Sequence, residues 1–217
     1  MSRDFAIDLT APVPLFPLPN VVLLPHATIP LHIFEPRYRA MVHDALEADK
    51  LMAMALFAGD AWKSDYEGTP PLRPCVCVGY VARHEQMPDG RCNILLQGLM
   101  RAKIVDEDVN RAYRLGYLDA LEPEPAMEID LDDERRRLEA LLSDPVFAGL
   151  TPVAAINNLL NGDLPTTALI DLIGMTCCQE VDAKYDLLAE PDAVHRAQMI
   201  RQHLNRLRDH IVDQHGG

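Results

Sequence analysis

Sulfur and imidazole are the groups in this chain best placed to do chemistry. Cys75-Val76-Cys77 puts two thiols on one face of a strand, because side chains alternate with period two. Cys92 lies on the strand that the Pro88-Asp89-Gly90 turn would fold back against it. Three thiols could therefore converge, with His84 the nearest fourth ligand for a tetrahedral metal site. Against this, C-x-C on a strand is not a zinc-knuckle spacing, and a cysteine inside a barrel behaves as a small hydrophobe. Core packing is the reading adopted, with thiol or metal chemistry at Cys75, Cys77 and Cys92 kept as the alternative. Cys177 and Cys178 are neighbours on a helix and point in different directions. His195, His203 and His210 lack the i,i+4 pairing with a nearby acid that marks a helical metal site, so they read as solvated or helix-end residues.

The rest of the catalytic repertoire is missing from the sequence. No glycine precedes a lysine, so there is no phosphate-binding loop of the GxxxxGK type. There is no G-x-S-x-G elbow. The three serines, Ser2, Ser64 and Ser143, fall in an expected terminus, loop and helix end, and the four lysines are scattered. A Ser-Lys dyad has little to draw on. The expectation is a protein that is not an enzyme and takes no cofactor.

Charge narrows the partners. A net charge of -13 repels phosphate backbones and anionic lipid surfaces. No apolar run reaches the roughly 18 to 20 residues of a membrane helix, and the N-terminus does not read as a secretory signal. Five cysteines, two of them adjacent, make a poor disulfide framework, which points to a reducing cytoplasm.

Two kinds of chain must position these residues, with a change of character at EPEPAME, residues 122–128. Residues 1–122 read as a β-barrel subdomain with one early helix. Seven prolines between Pro12 and Pro36 predict short, kinked strands, best placed at 21–24 and 27–34. Pro36 suits the first turn of a helix whose apolar face is Tyr38, Met41, Val42, Ala45 and Leu46. Strands are expected at 51–57, 75–82, 92–96, 102–105 and 113–121, with an exposed loop over 59–74. Together they fit a small, partly open barrel.

Residues 123–217 read as helical. One helix carries Leu131, Leu138, Leu141 and Leu142, with Asp132–Arg136 and Asp133–Arg137 as i,i+4 pairs. Thr151-Pro152 starts a second with Val153, Ile156, Leu159 and Leu160, and Gly162-Asp163 ends it. Pro165 leads a third, a short one spans 181–188, and the last carries Ile200, Leu204, Leu207 and Ile211.

Three blocks carry a resemblance. The string PLFPLPNVVLLPHATIPLHIFEPRYRAMV, beginning at Pro14, resembles the opening of Lon proteases. CNILLQGLMRAKIV, residues 92–105, looks like that family's G-x-x-R strand. YDLLAEPDAVHRAQMIRQHL, residues 185–204, looks like its run into a long helix. The chain is thus similar to the N-terminal, substrate-binding domain of Lon proteases, without the ATPase and peptidase domains. The resemblance implies an α+β fold, a PUA-like β pseudo-barrel followed by an α-helical bundle. It implies a non-catalytic module that binds proteins or unfolded polypeptide segments, an adaptor or regulator in protein quality control.

The motif residues Pro17, Pro25, Phe34, Glu35, Arg37 and Tyr38 read as structural. Phe16, Leu18, Val22, Leu24, Leu31, Ile33 and Phe34 alternate and are expected mostly in the core, and Glu35 and Arg37 are expected to pair across Pro36. The binding face, expected in a groove between barrel and helices, and the oligomeric state, monomer or weak dimer, stay open. RNA binding is a second alternative, resting on a basic strip along Arg196, Arg201, Arg206 and Arg208.

Overall fold

The computed structural model describes residues 7–147, Ile156 and residues 164–215. Its described residues separate into two compact units. One comprises Met1–Val22 and Thr28–Leu121, the other Leu23–Ala27 and Glu122–Gly217.

The first unit is built on six strands: β1 (Val13–Leu18), β2 (Thr28–Ile33), β3 (Leu51–Leu56), β4 (Cys75–Gln86), β5 (Cys92–Asp108) and β6 (Arg114–Ala120). Their order is β2-β5-β4-β3-β1-β6, and β6 pairs again with β5, so five strands close into a ring with β2 at its margin. The β1–β3 pair is parallel, and the other pairs are antiparallel. The pseudo-barrel expected from the resemblance is present. Inside it, Leu15, Ala53, Val76, Val78 and Ala102 form an apolar core.

Proline density hides β1 from a reading based on strand propensity. The strand contains Pro14 and Pro17 yet lies between β3 and β6. Its two pairings hardly overlap: β6 engages Val13–Leu15 and β3 engages Leu15–Leu18. The Phe57 amide donates to the Leu18 carbonyl, so Leu18 faces β3. By alternation Pro17 faces the other side, past the end of β6, and Pro14 faces β3 before that pairing starts. Neither proline is asked for an N–H where a partner strand waits.

Two further expectations are corrected. Residues 21–24 form no strand. Leu23–Ala27 leaves the barrel and clusters with the helical unit, where Leu24 packs near Gly174. Pro25 sits in a turn closed by Ala27 N–H to the Leu24 carbonyl, with His26 at φ 65°, a left-handed conformation of the kind a type II turn needs after its proline. The separate strands expected at 92–96 and 102–105 are one strand, β5. Its first half pairs with β2 and its second with β6, with β4 along the other side. The β4–β5 hairpin turns at Gly90, φ 81°, where the Asp89 carboxylate accepts from both the Arg91 amide and its guanidinium. Helix α1 (Pro36–Glu47) has proline in its first turn and buries Tyr38, Met41, Val42 and Ala45.

The second unit holds α2 (Glu128–Leu142), α3 (Thr166–Cys177), α4 (Val181–Ala189) and α5 (Ala193–His215). Ile156 is helical and buried; the other cap and core positions expected over 151–163 lie outside the described residues. Leu138, Leu142, Ile170, Ile173, Leu187 and Leu204 make its core. Two buried ion pairs cross it. Arg196 reaches Asp171 at 3.3 Å and donates to the Glu190 and Pro191 carbonyls at 2.9 Å each. Glu134 pairs with Arg137 at 2.6 Å and Arg201 at 3.4 Å. The expected i,i+4 pairs on α2 are replaced by i,i+3 pairs, Asp133–Arg136 and Glu134–Arg137, the latter on a buried carboxylate that α5 also engages. Two members of the expected basic strip, Arg196 and Arg201, face carboxylates within the unit. Among the described residues no helix is long and apolar enough to cross a membrane.

Removing one partner of a buried pair leaves the other charge uncompensated. Asp171→Ala is expected to lower the stability of the helical unit by about 3 to 5 kcal/mol, read as a fall in the urea midpoint. An unchanged midpoint would show that Arg196 is held without the carboxylate.

Candidate functional site

The most developed polar arrangement in the barrel unit grows from the strand-to-helix junction after β2. Glu35 ends the extended run, and Pro36 starts α1 with a preset φ. Arg37 and Tyr38 follow in the first turn, so the three side chains share one corner. The Arg37 Nε donates to a Glu35 carboxylate oxygen at 3.0 Å, the pairing read from sequence. The guanidinium also donates from both terminal nitrogens to the Tyr66 carbonyl at 3.3 Å. In return the Tyr66 hydroxyl donates to the second Glu35 oxygen at 3.1 Å. The guanidinium lies 4.5 Å from the Tyr38 ring centroid and 4.9 Å from that of Tyr66. Arg37 is thus a planar wedge with both rings against it, a geometry lysine cannot reproduce.

This clamp ties the 59–74 loop to α1, and aromatic contacts complete the tie. Phe57 stacks on Trp62 at 6.0 Å and meets Tyr66 edge-on at 5.9 Å. Tyr38 packs edge-on against Phe16 at 4.6 Å. The segment that reads as an exposed loop is therefore fastened at Trp62 and Tyr66. Sequence reasoning missed Tyr66. The available signal was an aromatic pair in a loop otherwise rich in Gly, Ser and charge.

A cavity of about 130 Å³ opens beside the clamp. Pro17, Arg37 and Tyr38 from the opening motif form one side, Phe57 and Tyr66 a second, and Val109 with Arg111–Arg114 a third. Arg37 and Arg114 in its walls are matched, and Glu67 and Arg111 line it as well. Arg114 bonds Glu107 through Nε at 2.7 Å and donates to the Pro70 carbonyl at 2.6 Å. The Tyr113 hydroxyl donates to Asp44 at 2.6 Å. The Tyr38 hydroxyl is buried, the residue 4% exposed, and sits beside the Tyr66 hydroxyl. Burial drives its phenol well above the usual tyrosine range against the pull of Arg37, with Tyr66 and Glu35 adding to the rise. Tyr38 is therefore a neutral donor at any physiological pH.

The other motif residues go elsewhere. Pro25 makes the turn in the second unit. Phe34, expected in the core, is 59% exposed and stacks on His32 at 6.1 Å. At the end of β2 the alternation that buries Ile29 and Ile33 turns Phe34 outward.

The thiols do not converge. Cys75 and Cys77 pair with Lys103 and Arg101, whereas Cys92 pairs with Gln86 at the hairpin end of β4. From Cys77 to Gln86 at about 3.3 Å per residue is roughly 30 Å. The expected approach fails because the hairpin is longer than its two separate strands suggested. His84, the expected fourth ligand, is exposed opposite Ile94. Among the described residues no group of three or more His, Cys, Asp or Glu is arranged to hold a metal ion, and the cysteines form no disulfide. Burial raises the Cys177 thiol to about 11 and the Cys178 thiol to about 12, which suppresses their nucleophilic form. The α5 histidines meet acids singly: His195 with Glu190 at 2.7 Å and His203 with Glu180 at 3.8 Å.

Comparisons with known proteins agree with the fold. The model of a family described as the ATP-dependent protease La (LON) substrate-binding domain matches residues 12–206. A Lon protease of Geobacter metallireducens is 27% identical over 197 residues, covering 89% of this chain and 24% of the relative. A Lon protease of Dictyoglomus thermophilum is 24% identical over 204 residues, 92% of this chain and 25% of the relative. The chain spans about a quarter of the length of these curated relatives. The N-terminal domain of Mycobacterium avium complex Lon protease superposes with a TM-score of 0.65 at 16% identity, covering 90% of this chain and 98% of that one. A Lon N-terminal domain protein from Xanthomonas campestris gives 0.59 at 21% identity, covering 88% and 96%.

The clamp carries its own test. Glu35→Ala removes the acceptor that both Arg37 and Tyr66 use, at a cost of about 1.5 to 3 kcal/mol for a charged hydrogen-bond partner. Amide hydrogen exchange over residues 61–69 should accelerate by at least about tenfold while β4 and β5 keep their protection. Unchanged exchange in that loop would mean the aromatic contacts hold it without the clamp.

Proposed function

The chain belongs to the Lon substrate-binding domain family, and from that premise we propose that it is a non-catalytic module that binds unfolded or extended polypeptide. The observation that carries the reading is the extent of the match, residues 12–206, which runs through both structural units. An adaptor or regulator role in protein quality control follows from such binding. The curated relatives are Lon proteases, and the family model that matches is described as their substrate-binding domain.

The barrel unit supplies features suited to the task. Phe34 offers an exposed aromatic anchor, of the kind that dominates binding energy when a partner covers it. Val109, also exposed, sits at the cavity wall. The thiol, metal and RNA readings gain no comparable support: the thiols are dispersed along a hairpin, and Arg196 and Arg201 face carboxylates.

Binding is measured by anisotropy with a labelled, reduced and alkylated unfolded protein. Saturable binding on the order of micromolar Kd is expected, competed by the unlabelled unfolded protein and not by its native form. Phe34→Ser should weaken it roughly fivefold while the melting temperature stays essentially unchanged, since the ring is already exposed. Failure to saturate with a panel of unfolded proteins would contradict the reading.

A further inference from the structure

We propose that the groove between α1 and the β4–β5 hairpin is a subsite for a carboxylate of the bound chain, received by the guanidinium of Arg39. The inference rests on the polypeptide-binding reading above and adds the chemistry of one contact to it.

Arg39 differs from other arginines of the barrel unit. Arg37 is matched by Glu35, Arg91 by Asp89 and Arg114 by Glu107. Arg39 lies half-buried on α1, and among the described residues its side chain pairs with no carboxylate and donates to no acceptor. Five N–H donors in a fixed fork therefore stay available. The hairpin holds that fork in place. It turns at Gly90 with φ 81°, and a Cβ added there would stand 2.0 Å from Arg39 Nη2. The guanidinium thus rests on a turn that is bare of side chain. Its charge reaches the Cys92 thiol at the start of β5, where it opposes the rise that burial imposes.

Size and surface select the ligand. The groove has a volume of about 490 Å³, room for a short run of extended chain. Pro36, Val42, Leu46 and Cys92 give it an apolar side, which suits an apolar body next to the carboxylate. His43, one turn beyond Arg39 on α1, and His84 and Gln86 on β4 each keep an N–H donor whatever the pH. Asp44, the acid on its walls among the described residues, is already engaged. It accepts from the Tyr113 hydroxyl at 2.6 Å and lies 3.6 Å from the His43 ring. A neutral segment leaves the guanidinium unmatched, whereas a carboxylate meets the fork with two parallel bonds. With a net charge of -13 the surface at large repels acids, so holding one depends on an open cation.

Arg39→Gln in the full chain removes the cation, and the melting temperature should not move, because the guanidinium serves no partner in the fold. N-acetyl-leucine is the small probe, with N-acetyl-leucinamide as its uncharged twin. The acid is expected to shift the amide resonances of residues 39–46 and 84–92 in wild type. The variant should lose those shifts, and the amide should not produce them. The labelled unfolded protein should bind Arg39→Gln roughly threefold to tenfold more weakly than wild type. Arg39→Lys, which keeps the charge and loses the fork, should fall between the two. Two labelled peptides then assign the carboxylate, one with Glu side chains and an amidated end, the other with a free end and no acidic side chain. Dependence on Arg39 in the first names side chains, and in the second the chain terminus; dependence in neither overturns the subsite.

Equal binding of the unfolded protein by Arg39→Gln and wild type would overturn the subsite while leaving polypeptide binding intact. Equal shifts from acid and amide, or a clear loss of stability in Arg39→Gln, would also overturn it. Shifts from N-acetyl-leucine that Arg39→Gln abolishes, without any binding of unfolded protein, would uphold the subsite and refute the broader reading.

Discussion

The barrel unit depends on one strand serving two partners. Over seventeen residues, β5 keeps β4 along one side and exchanges β2 for β6 along the other. Without its second half the sheet would be open, with β6 attached only through three residues of β1. Register irregularities at Val78/Gly79, Val81/Arg83 and Ile104/Asp106 supply bends where a flat ladder would not close. Closure brings the β5–β6 hairpin round to α1. Tyr113 then reaches Asp44, and Arg114 reaches Pro70. The cavity is a consequence of the ring, assembled from segments far apart in sequence.

The same closure explains how polar and apolar demands divide. The core cluster is aliphatic, and at the Glu35 corner a guanidinium is flanked by rings and matched by a carboxylate. In the helical unit the solution differs: Asp171 and Glu134 are buried, each held by an arginine from α5. Buried pairs of this kind contribute little net stability against an apolar alternative, but they penalise misplacement of the helices strongly.

Much of this was legible in the residues. Pro36 and the apolar positions of α1, the Pro88–Gly90 turn, the Glu35–Arg37 pair and the final helix followed from local chemistry. The order of blocks pointed to the family. What was not legible depended on long-range pairing. β1 is obscured by prolines whose missing N–H groups matter only once the neighbouring strands are placed. Residues 21–24 read as a strand, yet Leu23 and Leu24 are buried and belong to the helical unit. Phe34 looks like core because it continues an apolar alternation, and only the end of β2 shows it turned to solvent. Tyr66 is marked locally only as an aromatic in a polar loop, and the clamp it completes lies about thirty residues away in sequence.

The central claim is that this domain holds extended polypeptide at the motif-built face of its barrel. Hydrogen exchange of the protein saturated with an unfolded polypeptide tests it most directly. The account predicts slowed exchange at residues 34–38, 66–69 and 109–114, the segments that present Phe34 and wall the cavity. Protection confined to α2–α5, or no protection at saturation, would contradict it.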